Sequence, residues 1–253
     1  MPVEPLEMPR MTSPRRVLLC GCAHTALVPP AVLDAARRRL DASGIEVEVV
    51  PDLCSLAARK DPLLRRIADG GPCAVVACAP RAVRWLFHAA GAPLPADEVT
   101  LLSLREPGAL SRLDSWLPVD ATPAAASGTA ASMAPAGADG AWYPWFPVID
   151  FDRCNHCRQC LSFCLFGVYD APGGKVEVAR PEACKADCPA CARVCPVEAI
   201  VFPKFPHPPV SGAPGGTAAD AVSKVDLSAL LGGDVHARLR ERNAGAKRRF
   251  IVE

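Results

Sequence analysis

Eight of the 13 cysteines in this 253-residue chain fall in two groups whose spacing is typical of iron–sulfur ligands. The first group has the spacing C-x2-C-x2-C-x3-C and consists of Cys154, Cys157, Cys160 and Cys164. The second has the spacing C-x3-C-x2-C-x3-C and consists of Cys184, Cys188, Cys191 and Cys195, with Pro196 directly after it. In this pattern, three cysteines of one group and the last cysteine of the other bind the same [4Fe–4S] cluster. The sequence therefore predicts two [4Fe–4S] clusters.

The crossed pattern assigns four ligands to each cluster. Cluster I is assigned Cys154, Cys157, Cys160 and Cys195, and cluster II is assigned Cys184, Cys188, Cys191 and Cys164. Structural zinc and a disulfide framework are the alternatives. Zinc favours C-x2-C pairs separated by a longer gap, and disulfide frameworks belong to small secreted chains. A cluster with a cysteine on every iron leaves no position for a substrate, so the groups predict an electron relay without catalytic residues.

The stretch over residues 148–203 resembles the bacterial-type two-cluster ferredoxins. The resemblance implies two β–loop–helix–β units, with strands at 148–151, 168–171, 175–178 and 199–202 and a turn at Gly173-Gly174. Two departures from the family pattern stand out. Leu165 replaces the proline that usually follows the fourth cysteine, and the gap from Cys184 to Cys188 is one residue wider than usual.

Four further cysteines follow segments that are predicted as consecutive strands of an N-terminal α/β domain. Cys20 and Cys22 follow a strand at 17–19, Cys54 follows one at 45–50, and Cys78 follows one at 74–77. Helices are predicted at 30–43, 56–68 and 82–90, and a fourth strand at 99–104. Because ligands of open parallel sheets lie beyond the carboxyl ends of the strands, these four thiols are candidates for a third Fe–S cluster or a metal site.

The alternative is that the four thiols are ordinary buried side chains. Cys73 lies at the opposite end of its strand and is expected only to pack. His24 and His88 are candidate additional ligands, although partly buried histidines with ordinary partners are the simpler interpretation.

The same region resembles the N-terminal domain of the heterodisulfide reductase A subunit family. The resemblance covers residues 16–106 and rests on C-x-C at 20–22, VPDLCS at 50–55 and VVACAPRAVRWLFHAAG at 75–91. The flavin domain of that family is missing here. No G-x-G-x-x-G follows the first strand, so neither NAD nor FAD is expected.

The fold class predicted from these patterns is α/β: a small parallel-sheet domain tethered to an α+β ferredoxin-like domain. The predicted segments are a flexible lead-in (1–14), the α/β domain (15–117), a flexible Ala/Pro/Gly linker (118–141), the two-cluster domain (142–207), and a Pro/Gly-rich segment with a C-terminal helix at 226–242 (208–253). The linker composition predicts that the two domains move relative to each other.

Charge and hydropathy narrow the range of partners. The net charge of +1 argues against nucleic-acid binding, and no apolar run reaches the ~18 residues of a membrane span. The cysteines are spaced as metal ligands and no convincing export signal is present, so a cytoplasmic location is expected. Residues 150–207 hold seven Lys/Arg and seven Asp/Glu, which favours a narrow set of redox partner proteins or a place in a larger oxidoreductase complex.

Three functions are compatible with the sequence. The favoured function is electron transfer, as an electron carrier or a non-catalytic subunit of an oxidoreductase complex more than as an enzyme. In this function, the N-terminal domain docks a partner or carries a further redox or metal site. An oxidoreductase subunit whose active site is the N-terminal cysteine cluster is the alternative. In the third interpretation, the clusters only stabilise the fold.

Overall fold

The structure, a computed structural model, describes residues 16–117, 142–215, 225–232 and 234–250. The predicted lead-in and linker lie outside the described residues. Among the described residues, no helix has both the length and the apolar character needed to cross a membrane.

The N-terminal half is built on a four-stranded sheet in the order β2-β1-β3-β4, in which all neighbouring strands are parallel. The strands are β1 (Arg16–Cys20), β2 (Glu46–Val50), β3 (Cys73–Ala77) and β4 (Val99–Ser103). Every residue of β3 is buried, as expected for an apolar strand covered on both faces. The predicted α/β fold class is confirmed.

Helices cover both faces of this sheet, because alternate strand residues point to opposite sides. The helices are α1 (Pro30–Ala42), α2 (Leu53–Ala58), α3 (Pro62–Ala68), α4 (Pro80–Ala89) and α5 (Ala109–Trp116). Val17 and Leu19 pack with α1 and α5, whereas Leu18 and Val75 pack with α2, α3 and α4.

The single helix predicted at 56–68 is wrong, because α2 and α3 are separate. Lys60 has φ of 52°, a left-handed conformation that ends the first helix. Asp61 caps α3 by accepting a hydrogen bond from the Leu63 amide, and Pro62 is the first helical residue.

The ferredoxin-like half contains two short antiparallel strand pairs and two short helices. The strands are β5 (Val148–Ile149), β6 (Tyr169–Asp170), β7 (Glu177–Val178) and β8 (Ile200–Val201), paired as β5 with β8 and β6 with β7. The helices are α6 (Gln159–Phe163) and α7 (Ala190–Val194). The two-residue turn predicted at Gly173-Gly174 is wrong, because residues 171–176 join β6 and β7 and contain a 3₁₀ turn over Pro172–Gly174.

The C-terminal region forms two helices instead of the one predicted at 226–242. They are α8 (Leu227–Leu231) and α9 (Val235–Phe250), and the side chain of Asp234 caps α9 by accepting from the Ala237 amide. Leu227, Val235 and Leu239 pack with Val194 of α7, so these helices cover the ferredoxin-like half.

The two halves are packed against each other. Phe146, Val148 and Val201 belong to the same buried core as the α2–α4 face of the N-terminal sheet. Arg81 of α4 pairs with Asp150 at 2.5 Å, and its guanidinium also donates to the Glu198 carbonyl. These contacts fix one arrangement of the two halves, which differs from the predicted free relative movement.

Candidate metal centres

The four cysteines assigned to cluster I come from the loop before α6, from α6 itself and from the end of α7. Burial raises the pKa of the Cys160 thiol to about 12, and the charges of Cys195, Cys157 and Cys154 contribute to the rise. The pKa of Cys154 is also raised, first by burial, and Cys195 and Cys157 contribute to it. The structure therefore brings these four thiols together.

The loop before α6 reverses direction through two left-handed residues. His156 has φ of 55° and Arg158 has φ of 62°, and these conformations turn the chain around the cysteines. Nδ1 of His156 accepts a hydrogen bond from the Val176 amide at 3.2 Å and lies 3.9 Å from Cys154 Sγ. The amide of Ala199 donates a hydrogen bond to Cys195 Sγ at 3.2 Å.

The four cysteines assigned to cluster II line one cavity of about 550 Å³; they are Cys164, Cys184, Cys188 and Cys191. Burial raises the pKa of Cys184 to about 12, and the charges of Cys164 and Cys188 add to the effect. The hydroxyl of buried Tyr169 donates to Cys191 Sγ at 3.0 Å. A cavity lined by four sulfur ligands, with a donor aimed at one of them, fits a [4Fe–4S] cluster.

The N-terminal cysteines lie at the carboxyl edge of three adjacent strands, in the order β2-β1-β3. Cys20 ends β1, Cys22 lies in the turn after it, and Cys78 directly follows β3. Cys54 lies in the first turn of α2, just beyond β2. All four belong to one buried core.

The charges of these four thiols act on one another. Burial raises the pKa of Cys78 to about 12, and Cys22 adds to the rise. The pKa of Cys20 lies well above its ordinary value because of burial, followed by the charge of Cys22. The Leu53 amide donates to Cys20 Sγ at 3.3 Å. Without a bound cation, the Cys20 and Cys78 thiols therefore remain protonated at neutral pH.

A buried ion pair lies beside the N-terminal cysteines and was missed by the sequence analysis. Lys204, from the segment after β8, reaches across the domain boundary and places Nζ 2.6 Å from Oδ2 of Asp52; their side chains are only 2% and 3% exposed. Burial lowers the pKa of Lys204, but the charges of Cys54 and Asp52 outweigh it, so that the pKa lies above its ordinary value. The one sequence clue is a lone lysine among apolar residues at 201–205.

Tyr143 is close to charged groups of both the N-terminal site and the cluster II loop. Its ring is 5.9 Å from Lys204 Nζ. Its pKa is raised first by burial, and the charges of Asp187 and Cys54 contribute to the rise. Cys184, a predicted ligand of cluster II, also packs against the core that contains Cys54.

The other N-terminal candidates, His88, His24 and Cys73, have neighbours outside the group of four thiols. The ring of His88 packs on Trp85 and Phe151, at centroid distances of 5.1 and 5.0 Å. The ring of His24 lies 6.3 Å from that of Tyr143. Cys73 is at the amino end of β3, as expected, with its thiol directed toward the Ile67 carbonyl at 3.9 Å.

No three His, Cys, Asp or Glu side chains of the described segments are grouped closely enough to hold a single metal ion. A four-iron cluster is larger than one ion, and its ligands lie farther apart. The thiol-only composition of all three groups suits iron–sulfur clusters, since thiolates select them.

Curated proteins from three methanogenic archaea are similar to part of this chain. A ferredoxin of Methanothermococcus thermolithotrophicus is 39% identical over 54 residues, which are 21% of this chain and 88% of that protein. An uncharacterized ferredoxin of Methanocaldococcus jannaschii is 50% identical over 60 residues, or 23% of this chain and 41% of that protein. The pyruvate synthase subunit PorD of Methanothermobacter marburgensis is 38% identical over 61 residues, or 24% of this chain and 69% of that protein.

These similarities cover less than a quarter of the chain, and in the Methanocaldococcus jannaschii protein they cover less than half of the relative. No family model matches the chain, and no solved structure matches it.

Proposed function

This chain belongs to the ferredoxin family, and we propose that it passes single electrons through two [4Fe–4S] clusters held by its C-terminal half. The observation that carries the proposal is the grouping of eight thiols into two sets of four. The first set consists of Cys154, Cys157, Cys160 and Cys195, and the second of Cys164, Cys184, Cys188 and Cys191. A [4Fe–4S] cluster with four cysteine ligands accepts and releases one electron.

The protein supplies hydrogen bonds and burial at these sites. The Ala199 amide donates to Cys195 and the Tyr169 hydroxyl donates to Cys191, so each set contains a sulfur with a fixed donor. Such donors stabilise the more negative, reduced state and thereby raise the reduction potential. Cys191 and Cys195 are buried, which keeps water away from part of each site.

The proposal includes a third Fe–S site at Cys20, Cys22, Cys54 and Cys78. Four thiols at one sheet edge, beside the buried cation of Lys204, match the needs of an anionic cluster. Cys184, an assigned ligand of cluster II, packs against the core that contains Cys54, and the charges of both Cys54 and Asp187 act on Tyr143; this proximity suits a chain of redox centres. The burial of all four cysteines favours an electron relay over a substrate-binding site.

The relative named as a pyruvate synthase subunit supports a place for this protein in a larger redox complex. Cysteines spaced as metal ligands suit the reducing interior of the cytoplasm.

Iron and sulfide analysis of the anaerobically purified chain tests the proposal. Two clusters give about eight irons per chain, and the third site raises this to about twelve. Replacing Cys164 by Ser should impair cluster II and leave the electron paramagnetic resonance signal of cluster I, because that ligand crosses between the groups. A chain with about four irons, or with zinc, contradicts two clusters.

A paired replacement isolates the N-terminal site. Cys54→Ser with Cys78→Ser should remove about four irons, whereas Cys73→Ser, equally buried but at the far end of β3, should remove none. Equal iron contents in the native protein, the Cys54/Cys78 double variant and the Cys73 variant would show that the N-terminal thiols are packing residues.

A further inference from the structure

The mouth of the cluster II cavity has an exposed apolar centre. Leu165 and Phe166 directly follow Cys164, line the cavity, and are 41% and 44% exposed. The other large apolar side chains with such exposure in the described residues do not line this cavity; they are Trp142, Val225 and Leu230. An exposed apolar pair at a redox site is typical of an interaction surface.

Cations surround this apolar centre. Lys185, Arg193 and Arg242 line the same cavity, where Asp187 is the one carboxylate in its lining. Within the described part of the chain, none of these three cations is within ion-pair distance of a carboxylate. Arg180 also lies near the mouth. Its guanidinium group is next to Gly167, the residue after Phe166: a Cβ atom placed on this glycine would be 3.2 Å from it. The mouth is therefore positively charged.

Two acidic residues of the same domain form ion pairs away from the mouth. Asp150 pairs with Arg81, and Asp152 lies 3.9 Å from Arg84. Both arginines belong to α4, so these carboxylates are used at the domain boundary. These two carboxylates of the 150–207 stretch therefore do not neutralise the cations at the mouth.

We propose that the cavity mouth formed by Leu165, Phe166 and the cations around them is the docking surface for a small acidic electron-carrier protein. The proposal rests on the proposed function, since it takes the electron to enter or leave through cluster II. The cations steer an acidic partner and set its orientation, and the apolar pair excludes water at the centre of the contact. The partner then lies directly against the backbone of Cys164.

Stopped-flow electron transfer from reduced flavodoxin, an acidic carrier, tests the proposal on the full chain. The anionic flavin hydroquinone loses one electron and becomes the neutral semiquinone, while the oxidised iron–sulfur protein gains that electron. The second-order rate should fall as ionic strength rises. Arg193→Glu should lower the rate about tenfold at low salt, and Leu165→Ser with Phe166→Ser should lower it at every salt concentration.

Two matched controls lie away from the mouth. Leu230→Ser removes an even more exposed leucine, and Arg38→Glu reverses an exposed charge on α1. Both should leave the flavodoxin rate unchanged. Cytochrome c, a basic acceptor, should show the opposite salt dependence with the reduced protein.

Iron content and reduction by dithionite are measured first for every variant. A native chain without the expected iron contradicts the proposed function and this inference with it. If every variant has its full iron content, and the mouth variants and the controls accept electrons from flavodoxin at the same rate, the docking surface alone is overturned. A flavodoxin rate that rises with salt also overturns it.

Discussion

Replacing Lys204 by Met should strongly destabilise the arrangement of the two halves. The methionine keeps most of the aliphatic stem but removes the ammonium group that faces Asp52 at 2.6 Å. Removing one partner of a buried ion pair costs about 3–5 kcal/mol, because the other charge remains buried. Oδ1 of Asp52 still accepts from the amide and the hydroxyl of Ser55, so we expect the lower value, about 3 kcal/mol.

A loss of this size is large enough to measure by thermal unfolding. For a chain of this length, 1 kcal/mol corresponds to about 2–4 °C, so the melting temperature should fall by about 6–12 °C. Arg39→Met is the matched control, since it breaks the Arg39–Asp114 pair of similar length (2.7 Å) between side chains that are 36% and 51% exposed. That loss should be below about 1 kcal/mol.

The stability difference should also be insensitive to pH near neutrality. The pKa of Lys204 is raised in the folded protein, so its contribution is fully present below its unfolded pKa of about 10.4 and is lost only as the pH rises through the folded value. The gap between the native protein and Lys204→Met should therefore be equal at about pH 6 and about pH 8. A Lys204 variant that melts no earlier than the Arg39 variant, at the same scan rate, would refute the reasoning.

Three further predictions concern the sulfur sites and the linker. Tyr169→Phe should lower the reduction potential of cluster II and leave that of cluster I unchanged, because the hydroxyl donates to Cys191. The control is Tyr143→Phe. If potentiometric titration gives the same cluster II potential for Tyr169→Phe and the native protein, the hydroxyl has no such role. After anaerobic removal of iron with a chelator, the protein should lose stability above about pH 8.5. The thiol pKa values are raised in the folded state, so only the unfolded state releases protons there. A free energy of unfolding in urea that does not change with pH would contradict this prediction. Limited proteolysis near Ala125 should yield two fragments that elute together, because Lys204 and Arg81 join the halves; separate elution would show that the contacts are too weak to hold them.

The two C-terminal cysteine groups could be predicted from the local sequence alone. Ligand spacing such as C-x2-C-x2-C is set by the geometry of one loop, and it can be recognised without the rest of the fold. Grouping the N-terminal cysteines required one further assumption, that the first three strands lie side by side in one parallel sheet. β2, β1 and β3 are adjacent, so the thiols after them share one sheet edge. The ligand assignments themselves stay predictions.

The breaks in the predicted helices could also have been anticipated. Asp61-Pro62 is a cap followed by a first helical residue, which marks a new helix start within 56–68. Asp234 plays the capping role at the start of α9. In both regions, apolar residues recur at helical spacing on both sides of the helix end. This spacing alone predicts one continuous helix, whereas the capping residues indicate two.

The Lys204–Asp52 contact could not be predicted, because 152 residues separate its partners and no periodicity connects them. This ion pair contributes more to the specificity of the arrangement of the two halves than to the stability of the fold. Two apolar side chains of similar volume would avoid the cost of burying two charges. A buried ammonium, however, needs a carboxylate within hydrogen-bond reach, and Asp52 is already fixed as the cap of α2. The seating of the ferredoxin-like half in the structure satisfies both groups, and it brings Tyr143 and Cys184 close to the N-terminal thiols. The ion pair therefore sets the relative position of the candidate redox sites, which electron transfer between them requires.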